Sequence, residues 1–195
     1  MNMGKILLVL GNCRHKGNTE QLADAFMKGA ADAGHEVQLV DLRKVKVNGC
    51  IVCNACRYGK PCIQKDDFNS LAPNIKAADA IVFASPLHFW MLSSAIMAFI
   101  ERFYCIAIED PMPTHGRYEK YPIKACALLM TSADDNFWTY DKVRDYYRYN
   151  LIDYLDAEDK GCLFAGGCGD TNGKPQIAQT GWLDKAYDFG RKIML

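Results

Sequence analysis

No run of apolar residues in this chain approaches the ~18 that a bilayer-spanning helix needs. The apolar run at residues 6–10 is too short for a signal-peptide core, and no small-residue cleavage site follows it. The expectation is a soluble, cytoplasmic protein. Charge of one sign is also missing: 23 Lys and Arg balance 23 Asp and Glu. Neither nucleic acid nor an anionic membrane is therefore an expected partner. No internal repeat, low-complexity run or linker breaks the 195 residues, which fit one domain spanning 1–195. Two phosphate-binding fingerprints are absent as well. There is no Gly-x-Gly-x-x-Gly of a dinucleotide crevice, and no Gly-Lys-Ser/Thr of a P-loop. Cysteine is plentiful, with nine. In a cytoplasmic chain these are expected to be reduced, metal-bound or redox-active rather than paired as structural disulfides.

What is present is organised around Gly11-Asn-Cys-Arg-His-Lys-Gly-Asn-Thr19. A short apolar strand precedes it, and Leu22, Phe26 and Ala30 follow at helical spacing. A strand-to-helix turn of this kind exposes the unpaired amides and the positive dipole end of its helix. Gly17 lets a ligand approach the backbone, Asn12, Asn18 and Thr19 offer side-chain donors, and Arg14 and Lys16 offer charge. The pattern suits a phosphate. The alternative is an ordinary turn in which Asn18 caps the helix and Gln21 answers it.

Strand and helix then alternate. Strands are expected at 6–10, 36–41, 80–84, 124–130 and 161–165. Helices are expected at 18–33, 68–78, 92–104, 138–155 and 179–194. This order argues for an α/β fold with a parallel sheet covered on both faces. Ligands in such folds sit beyond the carboxyl ends of the strands, where the turns beginning at Gly11, Ser85 and Thr131 lie. The turn Ser85-Pro-Leu-His-Phe-Trp90 leaves its strand extended, because proline pushes Ser85 out of helical conformation. Its aromatics and amides suit a flat heteroaromatic ring, although a hydrophobic loop packing on its own helix would have the same composition. A phosphate at one turn and a flat ring at the next describe FMN.

These two turns, with Ala-Phe-Ile-Glu-Arg-Phe at 98–103 and the element order, resemble the flavodoxin-like NADPH-dependent FMN reductase family over nearly the whole chain. The resemblance implies a three-layer sandwich with a five-stranded parallel sheet in the order 2-1-3-4-5. It implies FMN held at its phosphate by Asn12, Arg14, Gly17, Asn18 and Thr19. It places Ser85, Pro86, Leu87, His88, Phe89 and Trp90 along the isoalloxazine, with Thr131 as a third contact. The family usually has Ser where Asn12 stands and Tyr where His88 stands. His88 would bring a titratable group near the flavin and is the nearest candidate for a catalytic side chain.

Cys50-x2-Cys53-x2-Cys56-x5-Cys62 falls in an irregular stretch, 43–67. Gly59 and Pro61 can bend the chain so that four thiolates converge on a [4Fe–4S] cluster, and Arg57, Lys60 and Lys65 would offset its charge. The spacing resembles that of the iron–sulfur flavoprotein branch of the same group. Zinc, a thiol–disulfide switch and a cluster-free family run ending in Asp66-Asp67 remain alternatives.

Cys13 reads as a small residue in a tolerant slot of the phosphate loop. Cys105, Cys126 and Cys162 read as buried, Cys168 as lying in an exposed loop, and His35 and His115 as surface residues. Phe137, Trp138, Tyr140, Tyr146, Tyr147, Tyr149 and Tyr154 read as packing and a dimer contact, and the connection 106–122 as an interface or a lid. The expected function is an FMN-dependent oxidoreductase with NAD(P)H as co-substrate and a quinone, nitro or azo compound, or flavin as small-molecule acceptor, in a homodimer or homotetramer. One alternative is a [4Fe–4S] relay fed by ferredoxin. The other is a non-enzymatic redox-sensing thiol module.

Overall fold

The computed structural model describes residues 3–109 and 119–195. His115 and part of the 106–122 connection lie outside the described residues. Five parallel strands form the central sheet: β1 (Lys5–Leu10), β2 (Glu36–Asp41), β3 (Ala80–Pro86), β4 (Ala125–Thr131) and β5 (Glu158–Ala165). Their spatial order is β2-β1-β3-β4-β5. The helices are α1 (Asn18–Asp32), α2 (Phe68–Ala77), α3 (Ser94–Glu101), α4 (Asp141–Tyr146) and α5 (Trp182–Lys192). This is the flavodoxin-like α/β sandwich, with the strand order that the resemblance implies.

Side-chain alternation along the strands divides the core in two. In β1, Ile6, Leu8 and Leu10 face α1 and α5, whereas Leu7 and Val9 face the layer of α2, α3 and α4. The same split holds for Val82 and Ala84 against Ile81 and Phe83 in β3. Central strands buried on both faces must be apolar throughout, which explains why residues 6–10 carry no polar side chain. The outer layer of α1 and α5 is drawn in by small residues. A Cβ at Gly29 would overlap the Tyr187 carbonyl, and one at Gly190 would overlap that of Phe26. With both side chains reduced to hydrogen the backbones approach closely, and Phe26 meets Phe189 edge-on with centroids 5.6 Å apart.

Several boundaries shift from expectation. The third helix stops at Glu101 and continues as a 3-10 turn, Arg102–Ile106. The fourth starts only at Asp141 and widens into a π-helical stretch, Tyr147–Asp153. There the Tyr147 hydroxyl reaches the Cys126 carbonyl at 2.8 Å and Asp159 at 2.6 Å. The closing helix is preceded by a separate 3-10 turn, Ile177–Gln179. His35 is buried rather than at the surface, because its Nδ1 accepts the Gly4 N–H at 3.2 Å. Cys168 is buried rather than exposed. Cys126 is fully buried as expected, while Cys105 and Cys162 are only half-buried.

Candidate functional site

The sheet's carboxyl edge opens into a cavity of about 310 Å³. Gly17 stands at the N-cap of α1 in extended conformation, and no side chain caps the helix. The first backbone bond of the helix runs from Gln21 N–H to Gly17 O at 3.1 Å. The amides ahead of it have no intrahelical acceptor and lie at the cavity wall, where the dipole is positive. Asn18 does not act as a cap. Its Nδ2 donates to the Cys168 carbonyl and to Asp170, and its Oδ1 accepts from Ile177 N–H at 3.0 Å. It thus fastens α1 to the loop that follows β5. Thr19 and Thr131 hydroxyls meet at 2.7 Å, joining α1 to the end of β4.

Behind the loop, Arg43 is a strut. It reaches Asp41 at 2.7 Å, Glu20 at 2.9 Å and the Arg14 carbonyl at 3.0 Å. The Arg43 hydrogen bond holds both the Asp41 and Glu20 carboxyls below their ordinary values, so the strut stays ionised. Glu20 in turn accepts the Lys16 N–H at 2.6 Å, and Lys16 has a left-handed φ of 55°. A polar side chain on the first turn of the helix and one just past β2 therefore fix the shape of the loop.

Of the predicted FMN residues, Asn12, Arg14, Gly17, Asn18, Thr19, Pro86, Leu87, His88 and Thr131 come together on this cavity. Three do not. Ser85 is buried behind it, where its Oγ accepts the Ser93 N–H at 2.8 Å and so anchors the start of α3. Phe89 and Trp90 form the two-residue tip of a tight turn closed by reciprocal His88–Met91 hydrogen bonds. Their φ angles are 47° and 58°. Phe89 is 95% exposed, and Trp90 tilts against Trp138 with centroids 5.7 Å apart. The cavity also takes residues that the sequence reading did not select, namely Cys13, Ser132, Ala133, Cys168, Gly169 and Asp170. Their signal was positional: 132–133 and 168–170 follow β4 and β5 at the same edge.

The cavity fits FMN on two counts. The Asn12 Oδ1 is buried without a hydrogen-bond partner, which a ribityl hydroxyl could satisfy, since such an orphan acceptor is costly. The α1 terminus and Arg14 supply positive potential for a phosphate, although Arg14 is now paired with Asp170, so an arriving anion competes with that carboxylate. Cys168 is buried at the cavity wall. Burial pushes its thiol up to about 11, and it donates to the Ala165 carbonyl at 2.8 Å.

A second cavity of about 830 Å³ lies at the far end of α3. Cys50, Cys53, Cys56 and Cys62 all line it, with Cys105. A 3-10 turn, Ala55–Tyr58, bends the run, flanked by Asn54 and Gly59 in left-handed conformation. The four thiols suit iron or zinc chemically. Among the described residues, however, no three Cys, His, Asp or Glu side chains are close enough to hold a metal ion. The sulfurs share a cavity without being converged. Asp66 and Arg102 form a buried ion pair at 2.5 Å under this loop. Burial raises the Asp66 carboxyl, but the Arg102 and Asn48 hydrogen bonds outweigh it and leave it below its ordinary value.

Fold and edge cavity together define a flavodoxin-like protein whose cleft offers a helix terminus to an anion. The chain belongs to the NADPH-dependent FMN reductase family, whose model matches residues 4–136. An iron-sulfur flavoprotein from Archaeoglobus fulgidus is 32% identical over 98 residues, which is 50% of this chain and 44% of that protein. This chain spans about half the length of the curated relatives it matches. Among solved structures, an NAD(P)H:quinone oxidoreductase from Methanothermobacter marburgensis superposes with a TM-score of 0.81 at 15% identity, over 100% of this chain and 98% of that one. An azoreductase from Bacillus anthracis does so at 0.70 and 17% identity, over 97% and 100%. At such identities the likeness concerns the fold. Among the described residues, no helix is long and apolar enough to cross a membrane.

Proposed function

We propose that this protein is an FMN-dependent NAD(P)H oxidoreductase that reduces a small-molecule acceptor such as a quinone, a nitro or azo compound, or a flavin. The observation that carries this reading is the convergence of the α1 terminus, Asn12, Arg14 and the Pro86–His88 turn on one cavity. FMN, when bound, would take hydride from the nicotinamide and deliver electrons to the acceptor. The α1 amides and Arg14 would bind its phosphate, Asn12 would accept from its ribityl chain, and Leu87 would give the ring an apolar wall. His88 is solvent-exposed at the cavity rim, where it could meet the acceptor or the nicotinamide. A homodimer or homotetramer is the assembly we propose with it.

A second reading is favoured by the grouping of Cys50, Cys53, Cys56 and Cys62 on one cavity, together with relatives whose name is iron-sulfur flavoprotein. In it these thiolates would hold a [4Fe–4S] cluster that supplies electrons, delivered by a ferredoxin, to the flavin. One preparation tests both. The protein is purified without oxygen, its visible spectrum, iron and sulfide are measured, and NADH or NADPH is added. Flavin bands that bleach with nicotinamide, without iron, support the oxidoreductase. About four irons and four sulfides per chain, with no bleaching by nicotinamide, support the relay. No flavin after incubation with FMN overturns both.

A further inference from the structure

The second cavity holds a fifth thiol that the cysteine run does not contain. Cys105 sits on the 3-10 turn Arg102–Ile106 at the end of α3 and faces the same space as the run. Of the thiols in the run, that of Cys62 is the one with which Cys105 interacts, and both also feel the Arg102 guanidinium. Arg102 fixes the pairing from one side. Its Nη2 donates to Cys62 Sγ at 3.2 Å, while Nη1 is held by Asp66 at 2.5 Å and the Asn48 carbonyl at 3.2 Å. The guanidinium also lies 4.9 Å above the Phe68 ring. Cys62 belongs to an irregular stretch, whereas Cys105 belongs to an element continuous with α3.

We propose that Cys62 and Cys105 are a disulfide-forming pair, an oxidation site that ties the cysteine loop to the end of α3. Closing the bond requires these two sulfurs, which line one cavity beside Arg102, to approach to about 2.05 Å. The oxidant is a small-molecule disulfide such as oxidised glutathione. One protein thiol attacks its S–S bond and releases one glutathione, leaving a mixed disulfide. The other protein thiol attacks the protein-side sulfur, forms the Cys62–Cys105 bond and releases the second glutathione. The two electrons and two protons lost by the protein thiols end on two glutathione thiols. The closed pair withdraws Cys62 from any role in a four-thiolate site, so oxidation and metal binding at this cavity exclude each other. The proposal does not depend on what fills the first cavity.

The test is a titration of the purified full chain with oxidised glutathione until the free-thiol count stops falling, followed by alkylation, trypsin and mass spectrometry. Trypsin places Cys62 in peptide 58–65 and Cys105 in peptide 103–117, each with one cysteine. The expected dominant cystine joins these two peptides. Cys105→Ser is expected to abolish it and leave Cys62 as a glutathione adduct, while Cys162→Ser keeps it. Should Cys105→Ser fold poorly by circular dichroism, Cys62→Ser is expected to leave Cys105 outside every protein cystine. A wild-type chain in which Cys62 pairs with Cys50, Cys53 or Cys56, or in which Cys105 stays a free thiol at the end point, overturns the proposal.

Discussion

The two cavities stand at opposite ends of α3, yet they are built differently. The first is assembled from strand ends and the start of α1. Its walls contain Thr19, Thr131 and Asn12, each less than a tenth exposed, and hydrogen bonds link α1 to the ends of β4 and β5. The second is walled on one side by an irregular loop whose Cys53 is exposed and whose backbone takes left-handed φ at Val52, Asn54 and Gly59. The buried Arg102–Asp66 pair gives that side a fixed point, and the Cys50 N–H adds a bond to Glu101 at 3.1 Å. A site on regular elements is pre-organised, whereas a site on a loop acquires its geometry from what it binds. The first cavity should therefore hold its shape empty, and the second should change with metal or oxidation.

The largest expected effect breaks the fixed point of the second cavity. Arg102→Ala leaves the Asp66 carboxylate, 0% exposed, without its partner. Removing one member of a buried pair costs about 3–5 kcal/mol, to be read from urea unfolding. Arg102→Met with Asp66→Asn should recover most of the loss, and a single-variant loss under ~1 kcal/mol would show the pair to be idle.

Next comes the first cavity. A Cβ at Gly11 would overlap Ile96 and stand 2.7 Å from Ser93 Oγ, at the junction of β1 and α3. Overpacking of this kind costs about 1–3 kcal/mol. Gly11→Ala should lower thermal stability and weaken flavin binding together, without changing the reactivity of Cys50 to Cys62 toward a thiol reagent. A smaller effect is expected from Arg14→Gln, whose removal of one phosphate cation should reduce FMN affinity about tenfold, roughly 1.4 kcal/mol, and flatten its salt dependence. Isothermal titration at two ionic strengths checks both.

The smallest effect concerns pH. Asp41, held down by Arg43, and Asp66, held down net by Arg102 and Asn48, both have carboxyls below their ordinary values in the folded chain. A group depressed on folding adds stability above its unfolded value of ~3.9, which is lost as pH falls through the folded value. Stability should be flat from pH 7 to about 5 and fall below about 4, as measured by unfolding at stepped pH. Arg43→Gln should make that fall shallower.

Much of this organisation was legible in the sequence. The unbroken apolar strands and the glycine- and asparagine-rich turn gave the sheet and its edge, because burial on both faces and a helix start impose strong local patterns. The fastening role of Asn18 was not legible: its partners Cys168, Asp170 and Ile177 are distant in sequence, and the local pattern offered only a phosphate donor or, as the alternative, a helix cap. Phe89 and Trp90 face outward because a two-residue turn closed by His88 and Met91 puts their side chains at its tip, which composition alone does not reveal. That Cys105 lines one cavity with Cys62 depends on where the turn after α3 meets the cysteine loop, a tertiary fact. Arg43 was missed for the same reason, since its partners Glu20 and Arg14 belong to another element.

The most direct measurement is a paired titration of flavin-free protein with FMN and with riboflavin, followed by tryptophan fluorescence. If the α1 terminus and Arg14 bind the phosphate, FMN should bind one per chain and riboflavin about 10–100-fold more weakly, the value of one or two charge-assisted hydrogen bonds. Equal affinity for the two, or no binding of FMN, would contradict the assignment of the first cavity.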